Sequence, residues 1–450
     1  MHTLEQLRSG KLAGTQRLDL AEGLTEFPRE ILDLADTLEV LNLTGNALST
    51  LPDDLGRLRK LRVLFCSNNQ FTEVPAVLGQ CPQLRMVGFK ANRIRTLPAA
   101  ALPPALRWLI LTDNQLQALP REIGACSELQ KLMLAGNQLR ELPDSLAACT
   151  RLELLRIAAN QFEALPEWLL RMPRLSWLAY AGNPFAEPAQ AAALERHPIG
   201  TIAWGQLQLE QQLGEGASGV IHQARLRREG AAAESVAVKL FKGALTSDGL
   251  PQSEMAACIS AGAHPNLIGL IGKVSEPAAR AEGLVLELIS PAFGNLAGPP
   301  SFETCTRDVY AATASFGLET VLRTATGIAG AAAHLHAQGI LHGDLYAHNI
   351  LVTATGEALL GDFGAACFFD AHQTQPGQAL QQLEARAFGC LLEELLKRCV
   401  APPAAATTAV ALWKLQRQCA QPEVAARPLF PEIYAALSSL QRVVSGEVAG

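Results

Sequence analysis

Seven times between Leu38 and Asn183 the chain runs through one pattern of apolar and polar positions, LxxLxLxxN. The pattern opens at Leu38, Leu61, Leu84, Leu106, Leu129, Leu152 and Leu175, with starts 22 or 23 residues apart. Its alternating core predicts a short strand in each unit, with the leucines on one face and the third and fifth residues on the other. Asn46, Asn69, Asn92, Asn114, Asn137, Asn160 and Asn183 recur where the chain leaves each strand. An amide suits that place because it can satisfy backbone groups that the turn buries. Pro52, Pro75, Pro98, Pro120, Pro143 and Pro166 recur on the returning leg, where no ladder needs their missing N–H. A degenerate unit through Leu18, Leu20 and Leu24, with Gly23 in place of asparagine, reads as a cap.

One such unit cannot bury its own leucines, so the period predicts about eight stacked leucine-rich repeats in an α/β solenoid with strands on the concave face. The outward positions then carry Phe65, Met86, Trp108, Ile110, Met133, Leu154 and Trp177. A row of aromatic and methionine side chains on an open surface predicts a protein partner or substrate there. The repeat region is expected over residues 1–190, with a short helical linker at 191–201.

Past residue 202 the pattern changes. A strand, turn and strand run from about Leu207 through Ala224, followed by a β-branched strand at Val236–Lys239, an apolar strand at Leu284–Leu288 and a long helical stretch at Leu318–Ala337. A second domain is expected over residues 202–445, with a tail at 446–450. Two domains also suit a length of 450 residues.

Composition narrows the possibilities. The 37 basic and 43 acidic residues give a net charge of -6, and the basic ones are scattered, which argues against a nucleic-acid partner. No stretch is apolar enough to predict a membrane span, and the first residues do not read as a signal peptide. The 10 cysteines contain no CxxC pair, and Cys81, Cys126 and Cys149 share one repeat position, so they read as a buried stack in a reducing, cytoplasmic setting.

Candidate chemistry comes from five motifs in a fixed order. They are Gly214-Glu215-Gly216-Ala217-Ser218-Gly219, Val236-Ala237-Val238-Lys239, Ser253-Glu254-Met255, His342-Gly343-Asp344 with Asn349, and Asp362-Phe363-Gly364. Together they resemble the eukaryotic-type protein kinases, and the whole chain looks like a bacterial leucine-rich-repeat kinase without a membrane span. The resemblance implies an α+β bilobal domain that binds ATP and Mg2+. It implies that Leu213, Gly214, Gly216, Gly219, Ile221 and Ala237, with backbone groups of Glu287 to Ile289 behind the gatekeeper Leu286, hold the nucleotide. Lys239 would pair with its α- and β-phosphates, and Glu254 would hold Lys239. Asp344 would be the catalytic base, and Asn349 and Asp362 would bind the metal.

The sequence also departs from that family. Gly343 replaces the arginine that receives a phosphorylated activation loop, Tyr346 replaces a lysine that contacts the γ-phosphate, and His348 is a poor substitute if neutral. Glu384 stands where an aspartate is usual, no APE motif follows Gly364, and Arg427 loses its customary glutamate. His334 and His336, two apart on a helix, read as structural. The expected function is a serine/threonine protein kinase. A small-molecule phosphotransferase shares the HGDL sequence and the missing docking platform, but its usual acidic motif differs from DFG. A non-catalytic scaffold would have no need of Lys239, Glu254, Asp344, Asn349 and Asp362 together.

Overall fold

A computed structural model describes residues 2–216, 218–242, 245–246, 248–275, 282–371, 374–402 and 406–445, without the side chains of Thr374 and Ser445. Ala217 of the glycine motif and the tail at 446–450 lie outside the described residues. Two compact units divide at Leu175/Ser176.

In the first unit, short parallel strands pair in chain order from Arg17–Asp19 to Leu154–Arg156. Their inward leucines, Leu41, Leu64, Leu132 and Leu155 among them, are fully buried. The return legs are 3-10 turns such as Ala76–Gln80, Arg121–Ala125 and Asp144–Ala148, each opened by a proline of the series. A 23-residue period leaves room for little more than one such turn. The asparagines tie successive turns together. Asn137 Oδ1 accepts from the backbone N–H of Leu116 at 3.0 Å, and its amide donates to the carbonyls of Leu111 and Leu134. Asn69, Asn114 and Asn160 repeat this arrangement.

The expected concave row is open only in part. Met86, Met133, Leu154 and Trp177 are buried, while Phe65, Trp108 and Ile110 are half-buried. Strands about 4.8 Å apart bring neighbouring side chains into contact. Register sets Met86 between Val63 and Trp108, and Met133 between Ile110 and Arg156. The Lys131 ammonium lies 4.3 Å from the centre of the Trp108 ring, whose other neighbour is the edge-on Phe65.

The second unit begins earlier than residue 190, because the last repeat strand, Trp177–Ala179, packs with the residues that follow it. The helix Glu187–Arg196 comes next, and then a six-stranded sheet. In that sheet Leu207–Glu215, Gly219–Leu226, Glu234–Phe241, Gly283–Glu287 and Leu270–Ser275 pair antiparallel in that spatial order, and Thr201–Ala203 closes the edge in parallel. Its buried face holds Val236, Val238, Val274 and Val285. A larger helical lobe follows, built on Leu318–Ala337, Thr374–Leu396, Ala406–Cys419 and Phe430–Ser445.

Candidate active site

The glycine motif turns the hairpin between Leu207–Glu215 and Gly219–Leu226, closed by a bond from the Gly216 N–H to the Gly219 carbonyl at 2.9 Å. At Gly219 a side chain is excluded, since a Cβ would lie 2.5 Å from the Leu240 carbonyl oxygen. Gly214 and Gly216 border open space within 4 Å, which leaves their backbone approachable by a phosphate.

Strand register places the other residues expected to line a nucleotide site. Ile221 stands opposite Lys239, and Ala237 opposite Leu286. Leu213 is exposed, Ile221 half-buried and Ala237 buried. The Glu287 N–H is bonded to the Gly269 carbonyl at 2.8 Å, so of its two backbone groups only the carbonyl is left for a ligand; Ile289 lies two residues on and is half-buried.

Lys239 and Glu254 meet as an ion pair, with the lysine side chain 14% exposed and the glutamate 2%. Glu254 comes from the helix Pro251–Ala261, whose N-terminal proline presets the first turn. Burial works against the Lys239 ammonium, but the charges of Glu254 and Asp362 outweigh it and hold Lys239 above its ordinary value. Removing one partner of such a pair strands the other and costs about 3–5 kcal/mol.

In the larger lobe the loop between Ile340–Leu341 and Ile350–Val352 is held from within. Buried His342 accepts the Asp344 N–H at Nδ1 and faces the Gly361 carbonyl with Nε2 at 2.8 Å, which fixes the proton on Nε2. The Asn349 amide donates to Asp344 Oδ2 at 2.8 Å and to the Asp344 carbonyl at 3.0 Å. That leaves Asn349 Oδ1 as the atom able to meet a cation. Asp362 adopts a φ of 56° and accepts the Gly364 N–H at 3.1 Å. An amide oxygen and a carboxylate are hard donors, and two protein ligands with phosphate oxygens suit Mg2+.

At the departures from the family, other groups have taken over. Glu384 accepts the Gly343 N–H at 2.6 Å, the His342 N–H at 3.3 Å and a ring nitrogen of His336 at 2.6 Å. Burial disfavours its charge, yet these bonds hold Glu384 below the usual carboxylate range. His334 meets the Ala261 carbonyl, so both helix histidines have structural partners. Arg427 donates to the carbonyls of Gln421 and Gln382. Tyr346 is buried, stacked on Trp177 with ring centres 4.1 Å apart.

Sequence reasoning missed Asp308 and misassigned Trp177. Asp308 lies in a stretch without periodicity, and its buried carboxylate accepts the His348 N–H at 3.0 Å and meets Nδ1 at 2.7 Å. Burial disfavours the His348 imidazolium, but Asp308, helped by Asp344 and Asp362, holds it above its ordinary value. His348 is therefore more readily protonated than a free histidine, in the loop that carries Asp344. The signal for Trp177 was Tyr346 itself, an aromatic ring at a charged position that needs an apolar neighbour.

Residues 207–402 match the protein tyrosine and serine/threonine kinase family, and residues 37–58 and 104–162 match leucine-rich repeats. The chain is 39% identical over 59 residues to the serine/threonine-protein kinase US3 homolog of Gallid herpesvirus 2, covering 13% of this chain and 15% of that protein. It is 28% identical over 194 residues to CBL-interacting protein kinase 22 of Oryza sativa subsp. japonica, covering 38% and 39%. It is 31% identical over 104 residues to the serine/threonine/tyrosine-protein kinase HT1 of Arabidopsis thaliana, covering 23% and 24%. The chain thus spans well under half the length of these relatives. Among the described residues no helix is long and apolar enough to cross a membrane.

Proposed function

From a chain that joins leucine-rich repeats to a protein tyrosine and serine/threonine kinase domain, we propose an enzyme that moves the γ-phosphoryl group of ATP to a serine or threonine hydroxyl of a protein. The observation that carries this is the formed Lys239–Glu254 pair together with Asp344 oriented by Asn349. A binding module would gain nothing from burying that pair, since apolar residues of similar size serve a core as well or better.

Bound ATP supplies the phosphoryl group and Mg2+ screens its charge. Lys239 would hold the α- and β-phosphates, and Asn349 Oδ1 with Asp362 would hold the metal. Asp344 orients the acceptor hydroxyl and takes its proton. His348, protonated more readily than a free histidine, would supply positive charge two residues beyond Tyr346, which stands where the family has its lysine. The absence of any CxxC pair among the 10 cysteines of the sequence supports a reducing, cytoplasmic setting. The first unit would hold a protein acceptor at Phe65, Trp108 and Ile110, the members of the concave row that are not buried.

The test is incubation of the full chain with labelled ATP and Mg2+, followed by separation of labelled protein from labelled small molecules. Label in protein, lost in Asp344→Asn and Asp362→Asn with the fold retained, is the expected result. Label in small molecules alone would favour a small-molecule phosphotransferase, and equal turnover in wild type and Asp362→Asn would favour a scaffold. With the labelled protein as acceptor, Trp108→Ala should raise its KM by about tenfold or more and leave the KM for ATP unchanged, as for an anchor at a contact centre. An unmoved acceptor KM would remove Trp108 from the binding face.

A further inference from the structure

The last repeat strand, Trp177–Ala179, and Tyr180 directly after it are held at both ends by the segments that carry the candidate catalytic groups. Trp177 is 1% exposed and lies flat on Tyr346, with an interplanar angle of 7°. Its indole N–H donates to the Leu345 carbonyl at 3.1 Å. Leu345 and Tyr346 directly follow Asp344. On the other side, the Tyr180 N–H donates to Cys367 Sγ at 2.9 Å and the Tyr180 hydroxyl to the Phe368 carbonyl at 3.1 Å. Cys367 in turn donates its thiol hydrogen to the Ala365 carbonyl, leaving its sulfur lone pairs to accept. Ala365 to Phe368 directly follow Asp362-Phe363-Gly364. The two segments also pair with one another, Ile340 with Phe368 and Leu341 with Cys367.

Between them stands Gly343. A Cβ there would lie 2.3 Å from the Ala365 carbonyl oxygen and 3.0 Å from that of Leu178. The room needed by an arginine side chain is filled by the backbone of the repeat strand and of the segment after Gly364. The Gly343 N–H is already held by Glu384. The task of tying these two segments together therefore falls to the chain itself, with no phosphate taking part.

The geometry points to Trp177–Tyr180 as a built-in brace that holds the catalytic loop and the segment after Gly364 in working order, with Trp177 the positioning residue for Asp344. This rests on the kinase reading above. Trp177 reaches Asp344 only through Leu345 and Tyr346, so it sets the geometry of the base without touching the reacting groups. Small displacements of a catalytic group lower turnover steeply, whereas nucleotide affinity depends on the glycine loop and Lys239 elsewhere.

The test uses the full chain with Trp177→Ala, Trp177→Phe and Tyr180→Phe. Hydrogen exchange, read by peptide, judges the brace without needing turnover. Amides of 340–350 and 364–370 should exchange about tenfold or more faster in Trp177→Ala, while peptides within 38–160 stay unchanged. In the transfer assay kcat should fall about tenfold or more with the KM for ATP within about twofold, and Trp177→Phe, which keeps a stacking ring, should recover most of the loss. Unchanged exchange in both segments overturns the brace. Faster exchange with a higher kcat overturns it too, because the strand would then be a block. If Trp177→Ala does not fold, Tyr180→Phe must by itself speed exchange at 364–370, and no change there sinks the proposal. A wild type that transfers no phosphate to protein defeats the kinase reading instead, and the exchange result still decides the brace.

Discussion

At the scale of the residue, Gly343 shows that a departure from a family pattern is not undone by restoring one side chain. Its φ of 72° lies in the left-handed region, and Ala365 and Leu178 crowd the place of a Cβ. Gly343→Arg should therefore destabilise by about 2 kcal/mol or more without raising activity. Thermal unfolding together with the transfer assay checks this, and a stable, more active variant would contradict it. His348 allows a prediction with a definite sign. In the folded chain burial opposes its proton, but Asp308 prevails, and the value lies above the ordinary 6.5. A group raised on folding contributes stability that is complete below the unfolded value and fades as the pH rises through the folded one. The margin of wild type over Asp308→Asn in chemical denaturation should thus be larger at pH 6 than at pH 9. An equal margin would mean that the imidazole is neutral throughout.

At the scale of the element, the asparagine ladder gives the most direct test of the repeat unit. Asn137→Ala leaves the buried Leu116 N–H without its acceptor, at about 1–3 kcal/mol if water does not rescue it, while the Leu111 and Leu134 carbonyls each lose one donor and keep the amides of Asn114 and Asn160. The loss in urea unfolding should be roughly 1–3 kcal/mol for Asn137 and smaller for half-buried Asn46, whose groups water can reach. Equal losses would mean that the amides are not what binds the turns. These elements were legible in the sequence because each repeat solves the same local problem with the same residues, and the period displays that solution seven times. The Lys239–Glu254 pair was legible for a related reason, since motif order brings together parts that spacing alone cannot. Trp177 was misread because alternation along a strand says which way a side chain faces and not what lies against it. Asp308 was missed because no periodic pattern runs through its segment, and its role depends on a fold that brings His348 beside it.

At the scale of the molecule, the question is what keeps the catalytic groups assembled. A kinase switched by activation-loop phosphorylation needs a hydroxyl to modify and a cation to receive the phosphate. Between Gly364 and Leu383 the only hydroxyl side chain in the sequence is that of Thr374, and Gly343 offers no cation. The bonds that such a phosphate would create already exist in another form, from Trp177 to Leu345, from Tyr180 to Cys367 and Phe368, and from Gly343 to Glu384. Two further negative charges in this segment would have nothing left to order. Phosphatase treatment, and separately Thr374→Ala, should leave kcat within about threefold of the untreated wild type. A loss of about tenfold or more in both assays would show that a phosphate at Thr374 does the ordering, and the segment from Trp177 to Tyr180 would then be packing that the reaction does not use.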